Sequence, residues 1–480
     1  MVIIQNGFYC ENEINLFARL FFRKDEDVFI TVNLTYENDE ADAYTTIAFG
    51  GKAYFSNVKV KCLWDDDELR RKVKICACTR SLIGAAEQIR HVSLPWGVMS
   101  GIRPAKVVRQ LYEKGFDTEE VMHVLRHVYV PIEKKAELAI EVAKNEELLL
   151  KSIGKNSVSL YIGIPFCPTR CLYCSFVSTD IRVSGKYMDE FVNKLLLEIE
   201  KTAEIMQRLG VYAENIYIGG GTPTTLSAQQ LEAVLSKLSE CIDLSHIKEF
   251  TLEAGRPDTI TEEKLLAAKK GGVNRISINP QSMNGGTLEK VGRTHTPDMV
   301  KNAYELAKKI GFDTVNMDLI AGLPDENFEM FKKSLDEVAV MNPENITVHS
   351  MCIKRAANLD YSLENLTHAE EMNKMLDYAQ SLLKGMDYAP YYMYRQKNIS
   401  GNLENVGYSK AGHMSEYNIN IMEEVQTIIA LGGGGSTKIV AGDRIERVFN
   451  FKDPAEYIRR FDEILAKKDE IIDIVLENTK

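Results

Sequence analysis

The chain has 480 residues, 45% of them hydrophobic and 26% charged, with a net charge of −11 and nine cysteines. That length carries two or three domains with separate cores, and the acidic balance argues against non-specific nucleic-acid binding and disfavours an anionic membrane surface. The start, MVIIQNGFYCENEINLF, lacks a basic stretch followed by an apolar one and a small-residue cleavage site, and no apolar run approaches a bilayer span, so the cytoplasm is the expected compartment.

Residues 1 to about 80 alternate apolar and polar in short runs (VFITVNLTY, KAYFSNVKVKCLW), which predicts an antiparallel β region. Cys76 and Cys78 fall on one face of a strand in this reading, as buried thiols that serve as small hydrophobes. After the loop LPWGVMSGIRPAK the period becomes helical as far as residue 152, so 1–152 reads as an α+β accessory region. His123 and His127 are spaced for one helix face, but HVLRH lacks the Glu of a zinc-protease helix and a surface or packing role is assigned to them.

Over 153–355 six apolar runs, SLYIGIP, NIYIGG, EFTLEAG, RISINP, TVNMDLIAG and NITVHSM, alternate with amphipathic helical stretches. Strands joined through helices must be parallel, and six repeats are too few for a closed eight-stranded barrel. The expected fold class is therefore α/β, an open (β/α)6 partial TIM-type barrel. Residues 356–480 follow as an α+β extension on the substrate side, with a helix near 367–385, the aromatic run YAPYYMYRQ and a last helix near 453–476.

The chemistry is concentrated in YIGIPFCPTRCLYCSF, directly after the first barrel strand. Cys167, Cys171 and Cys174, spaced C-x3-C-x2-C, can ligate three irons of a 4Fe–4S cubane. No fourth cysteine lies close by, so one iron stays open to chelate the amino and carboxylate groups of S-adenosylmethionine. A structural zinc site wants four ligands, usually in C-x2-C pairs, and no partner His or Cys is near.

Working residues of α/β barrels gather at the C-terminal ends of strands. Gly219 to Thr222 offer close backbone approach after strand two, and Glu253 closes strand three. Gln281 and Arg293 follow strand four, Arg293 with a fork suited to a carboxylate, and Asp318 lies within strand five.

The C-x3-C-x2-C triplet, with Tyr161 and IPF before it and Tyr173 ahead of the third cysteine, resembles the radical S-adenosylmethionine superfamily. Within it the chain is similar to oxygen-independent coproporphyrinogen III oxidases of the HemZ-type branch, through GGGTP, DLIAGLP, HSMCIKRAANL, YYMYRQKNISGNLENVGY and EVQTIIALGGGGSTK. The resemblance spans nearly the whole chain and implies that Tyr161, Tyr173, Gly220, Gly221, Thr222, Glu253, Gln281, Arg293 and Asp318 bind S-adenosylmethionine. It implies further that a 5′-deoxyadenosyl radical drives loss of CO2 from two propionates, giving protoporphyrinogen IX in haem biosynthesis, with a reducing electron donor such as flavodoxin or ferredoxin.

A substrate with four carboxylates needs cations, and Lys354, Arg355, Arg395 and Lys397 are candidates, against a solvated-loop role for the Lys354–Arg355 pair. Tyr391, Tyr392 and Tyr394 suit a flat macrocycle or the core, His413 is a candidate haem or substrate contact, and Gly432 to Gly435 lack the spacing of a nucleotide phosphate loop. One position departs from the family pattern. Where established oxidases have a further cysteine two residues after the third, this chain has Phe176, as do haem-binding relatives. Three readings therefore stand side by side: the oxidase, a haem-binding chaperone of the same fold, and a radical enzyme that methylates or opens haem.

Overall fold

The computed structural model describes residues 1–99, 103–174, 178–352, 369–395, 403–442 and 444–478. Phe176, Lys354, Arg355 and Lys397 lie outside the described residues. The chain divides into two units, the first made of 1–141 with Arg395 and Leu403, the second of 142–394 and the segment from 404 onward.

The first unit holds one four-stranded sheet in the order β1 (Val2–Asn6), β2 (Val28–Glu37), β3 (Glu40–Phe49) and β4 (Lys52–Lys61). Strands β2 to β4 form an antiparallel meander, but β1 runs parallel to β2. The antiparallel expectation fails there because a helix, Glu11–Phe21, supplies the crossover. Its buried Ile14, Phe17, Ala18 and Phe21 have helical, not alternating, spacing.

Cys76 and Cys78 are also corrected, since both sit in the helix Asp67–Ala86, capped by the Asp66 carboxylate accepting from Leu69 N at 2.8 Å. Both thiols are buried, as expected of small hydrophobes. His123 and His127 pack against Trp64, with ring centroids at 5.6 and 6.0 Å.

The second unit is organised on an eleven-stranded sheet. Its parallel centre is β5 (Ser157–Ile164), β8 (Tyr212–Gly220), β9 (Glu249–Glu253), β10 (Arg275–Ser277), β11 (Thr314–Ala321) and β12 (Asn345–Ser350), with a short separate pair, β6 (Phe166–Cys167) and β7 (Thr179–Asp180). The later strands β13 (Ala389–Arg395) and β14 (Glu404–Ser409) extend the β12 edge, and β15 (Ile428–Gly432), β16 (Ser436–Ala441) and β17 (Arg444–Phe449) extend the β5 edge. The two ends of the sheet are different strands, β13 and β17, so the expected open barrel of six parallel strands is what forms. Strand β15 adds a further parallel neighbour to β5. Among the described residues no helix is long and apolar enough to cross a membrane.

Alternation along the strands separates two faces. Leu160, Ile162, Ile218, Leu252, Ile276, Met317, Leu319, Ile346 and Val348 are buried on the apolar face. The residues between them are polar, aromatic or glycine, and they bond across neighbouring strands: Asn215 to Ser159, Asn316 to Ser277, and Thr347 to Asn316. The starting end of the strands is closed by the loop and helix at 413–423. His413 Nδ1 meets the Thr314 hydroxyl at 2.8 Å, Arg275 Nη1 donates to the His413 carbonyl at 2.9 Å, and the Ser415 hydroxyl donates to Glu249 at 2.8 Å. The Tyr417 ring stacks on Tyr217 with centroids 4.6 Å apart.

The finishing end is braced by a buried carboxylate. Glu198 accepts from Gly432 N at 2.8 Å, Asn450 Nδ2 at 2.7 Å and the Tyr457 hydroxyl at 2.5 Å, and pairs with buried Lys468 at 3.1 Å. Four donors offset the desolvation of that charge. The network holds the turn in which Gly433 N donates to Gly163 O at 3.0 Å, beside the finishing end of β5.

Candidate active site

The loop carrying the three cysteines leaves β5 and is stitched to the finishing ends of other strands by backbone bonds. Gly221 N donates to Ile164 O at 2.8 Å, Thr222 N to Phe166 O at 2.7 Å and Leu172 N to Val291 O at 3.1 Å. The Thr169 hydroxyl donates to Gly292 O at 2.9 Å. Approach between the glycine turn and the loop is close enough to demand glycine: a Cβ on Gly221 would lie 2.6 Å from Phe166 O and 3.0 Å from Cys167 Sγ.

None of Cys167, Cys171 and Cys174 is in a disulfide. Cys167 Sγ lies 3.4 Å from the Thr222 hydroxyl, and Arg256 Nη1 points at Cys171 Sγ from 3.6 Å. Burial raises the Cys167 thiol above its ordinary value, opposed by the hydroxyls of Thr222 and Ser178. The donor set fits a cubane better than a single ion. Cys167, Cys171 and Cys174 are three soft thiols on one loop, and a cubane takes each thiolate on a different iron.

Two carboxyl groups face each other across the strand ends with opposite tendencies. Burial, then the charge of Asp318, pushes Glu253 up to about 8, against the Gly220 N–H and Arg293. Asp318 is also buried, but His349, with Nε2 at 3.7 Å, and Asn316, with Nδ2 at 2.8 Å, hold it below the usual carboxylate range. At neutral pH the first is therefore protonated and the second ionised. His349 in turn places Nδ1 3.4 Å from the Tyr394 hydroxyl.

Gln281 has φ 66° and bridges onto β11, with N donating to Asp318 O at 2.8 Å and O accepting from Ile320 N at 2.9 Å. Its side-chain Oε1 is buried with no hydrogen-bond partner. A buried unpaired acceptor in a left-handed residue is the pattern of a group kept for a ligand.

The nine residues that the resemblance assigned to the cofactor are not all in one place. Gly220, Gly221, Thr222, Glu253, Gln281 and Asp318 gather at the finishing ends of β8, β9 and β11. Tyr161 lies deeper, its ring 6.2 Å from Tyr217 and 6.5 Å from Tyr417. Arg293 does not present an open fork. Nε donates to the Tyr173 hydroxyl at 3.1 Å, Nη1 to Asn279 O at 2.6 Å, and both Nη1 and Nη2 to Gly255 O at 3.3 Å, so it ties the cysteine loop to the strand ends.

Arg395 is buried in the first unit, donating to Met99 O at 2.6 Å with its guanidinium over Trp96. His413, a candidate haem or substrate contact, bonds Thr314 and accepts from Arg275 at the starting end of β11, away from the cysteine loop. Tyr391 and Tyr392 take the core alternative, at 0% and 6% exposure. Two residues escaped the sequence reading: His349, whose signal was its place in the alternation of NITVHS, and Arg256, whose only signal was a charge three residues after Glu253.

Residues 161–338 match the family model of the radical SAM superfamily. The chain is 40% identical over 395 residues to the oxygen-independent coproporphyrinogen-III oxidase-like protein HemZ of Bacillus subtilis, covering 81% of this chain and 79% of that protein. It is 31% identical over 320 residues to the heme chaperone HemW of Lactococcus lactis, covering 65% and 79%. Among solved structures, coproporphyrinogen III oxidase (HemN) from Escherichia coli superposes with a TM-score of 0.52 at 21% identity, covering 67% of this chain and 72% of that one.

Proposed function

This chain belongs to the oxygen-independent coproporphyrinogen III oxidase-like family of the radical SAM superfamily, and on that premise we propose that it converts two propionates of coproporphyrinogen III to vinyl groups. Its cofactors are a 4Fe–4S cluster and S-adenosylmethionine. When bound, they supply a 5′-deoxyadenosyl radical that removes a hydrogen atom from each propionate side chain.

The chain's own residues prepare that event. Cys167, Cys171 and Cys174 would hold three irons of the cluster, and Gly221 and Thr222 bring backbone against the loop that carries them. Glu253, protonated below about pH 8, offers a hydrogen-bond donor, and ionised Asp318 offers an acceptor, so the amino group and ribose hydroxyls of S-adenosylmethionine meet one of each. The plug at 413–423 closes the starting end, which restricts water entry to the face that carries the cysteines. Lys354 and Arg355 are proposed as cations for the substrate carboxylates, and a flavodoxin or ferredoxin as the electron donor, in the cytoplasm.

One observation carries the oxidase reading over the chaperone: similarity to the HemZ protein extends over 395 residues, well beyond the barrel match at 161–338, while similarity to the HemW chaperone is lower and shorter. The test is anaerobic reconstitution with reductant, S-adenosylmethionine and coproporphyrinogen III, followed by mass spectrometry of the tetrapyrrole. Loss of CO2 and two hydrogens per propionate, with 5′-deoxyadenosine formed, is expected. Stoichiometric haem binding with no change in tetrapyrrole mass would assign the chain to the chaperones, and a methyl-sized mass gain on haem to methylation.

A further inference from the structure

A full positive charge buried against the cysteine loop requires a physical reason. Arg256, at 3% exposure, follows β9 in the run EAGRPD. Its guanidinium is divided between two tasks. Nε and Nη2 each donate to the Asp258 carboxylate at 3.1 Å, and Nη2 also reaches the Thr294 hydroxyl at 3.2 Å. Nη1 faces the other way, to the Thr169 hydroxyl at 3.1 Å, the Thr169 carbonyl at 3.3 Å and Cys171 Sγ at 3.6 Å. The Asp258 carboxylate is fixed in its own right by the Thr294 hydroxyl at 2.6 Å.

Pinning the loop through Thr169 does not need a cation, since a neutral amide makes the same bonds without the desolvation cost of a buried ion pair. What an amide lacks is charge beside a thiolate sulfur. Hydrogen bonds to cluster sulfurs and nearby positive charge stabilise the more negative, reduced state of an iron–sulfur cluster. Asp258 and Thr294 orient the fork by its far edge and leave the Nη1 edge to Thr169 and the sulfur.

We propose that Arg256 is a positioning residue that raises the reduction potential of the cluster by donating from Nη1 to the Cys171 thiolate, with Asp258 tempering its charge. The step affected is the transfer of one electron from an external low-potential donor to the oxidised cluster, and no proton or group leaves Arg256. The inference rests on the cluster and not on the tetrapyrrole reading, so either can fail alone.

The experiment is an EPR-monitored redox titration of the anaerobically reconstituted full-length protein without tetrapyrrole, with iron and sulfide counted per chain. Arg256→Gln is expected to keep its cluster and to lower the reduced-to-oxidised ratio at fixed potential about tenfold, a downward shift of about 59 mV for one electron. Asp258→Asn, which keeps the contact to Cys171, is expected to move the midpoint upward. Thr169→Ala, which removes the hydroxyl anchor to Gly292 and to Nη1 but leaves the Thr169 carbonyl to hold Nη1 beside Cys171, is expected to leave it unmoved. An unshifted midpoint in Arg256→Gln with full cluster content overturns the proposal and leaves Arg256 a loop anchor. If Arg256→Gln loses its cluster, the decision passes to Asp258→Asn, whose failure to shift upward overturns it equally.

Discussion

The two ends of the parallel strands are built from similar residues and treat them differently. At the starting end the chain consumes its own polar groups: Glu249 accepts from Thr251 and Ser415, Arg275 donates to the His413 carbonyl, and Thr314 bonds His413. At the finishing end Glu253 is pushed up to about 8 by burial and by Asp318, Gln281 keeps Oε1 without a partner, and none of the three cysteines is in a disulfide. Asn215 Oδ1 and Asn345 Oδ1 are exceptions, being buried without a partner on the inner face below that end. Satisfied polar groups add stability, and groups left strained or unpaired mark where a ligand is bound. Substitutions at the two ends should therefore separate stability from cofactor chemistry.

The largest separation is expected at the cysteines. Cys171→Ala should remove the cluster and abolish 5′-deoxyadenosine formation, read by iron content and by product chromatography, while the melting temperature of the cluster-free protein moves little. A variant that retained full cluster content would break the assignment of the loop. The converse change is Tyr417→Ala at the closed end. Deleting a 4%-exposed aromatic that stacks on Tyr217 should cost about 3–5 kcal/mol in denaturant unfolding. Any chain that remains folded should load its cluster normally.

A pH test sharpens the comparison from the open end. Because the folded Glu253 holds its proton up to about 8, against an unfolded value of 4.5, stability is full below 4.5 and falls as the pH rises through about 8. Glu253→Gln should remove that loss, making the cofactor-free variant more stable than the parent by up to a few kcal/mol above pH 8 and equal to it near pH 4.5. Binding of S-adenosylmethionine, followed by calorimetry, should weaken about tenfold. Parallel pH curves for the two proteins would show that Glu253 titrates normally and is not part of the site.

The sequence makes one end of the strands more readable than the other. Fully buried parallel strands are short apolar runs, so β5, β8, β9, β10, β11 and β12 stand out, and the cysteine spacing names its own chemistry. The plug does not stand out, because His413, Ser415 and Tyr417 have no local pattern and acquire meaning from Thr314, Glu249 and Tyr217, which are distant in the chain. Strand β15 hides for the same reason, a five-residue run whose partner β5 lies far earlier. Alternation misled at Cys76 and Cys78, where a helix satisfies the same two positions by packing both thiols inward. At the site, the Arg293 fork was legible as a residue but not as a geometry, since its acceptors are backbone carbonyls that no side-chain pattern announces.

The smallest expected effect tests whether the closed end is only a plug. Ser415 caps the helix Glu416–Glu423 by accepting from Asn418 N at 3.2 Å, and its hydroxyl proton goes to Glu249 Oε1. Ser415→Ala removes both bonds and leaves a buried carboxylate short of one donor, so unfolding should become easier by about 1–2 kcal/mol. The dissociation constant for S-adenosylmethionine should change less than about twofold, because a shift of 1 kcal/mol in global stability leaves nearly every molecule folded. If affinity fell more than stability in this variant, the two ends would be coupled through the stacked rings of Tyr417, Tyr217 and Tyr161, and the division between a closed structural end and an open chemical end would have to be abandoned.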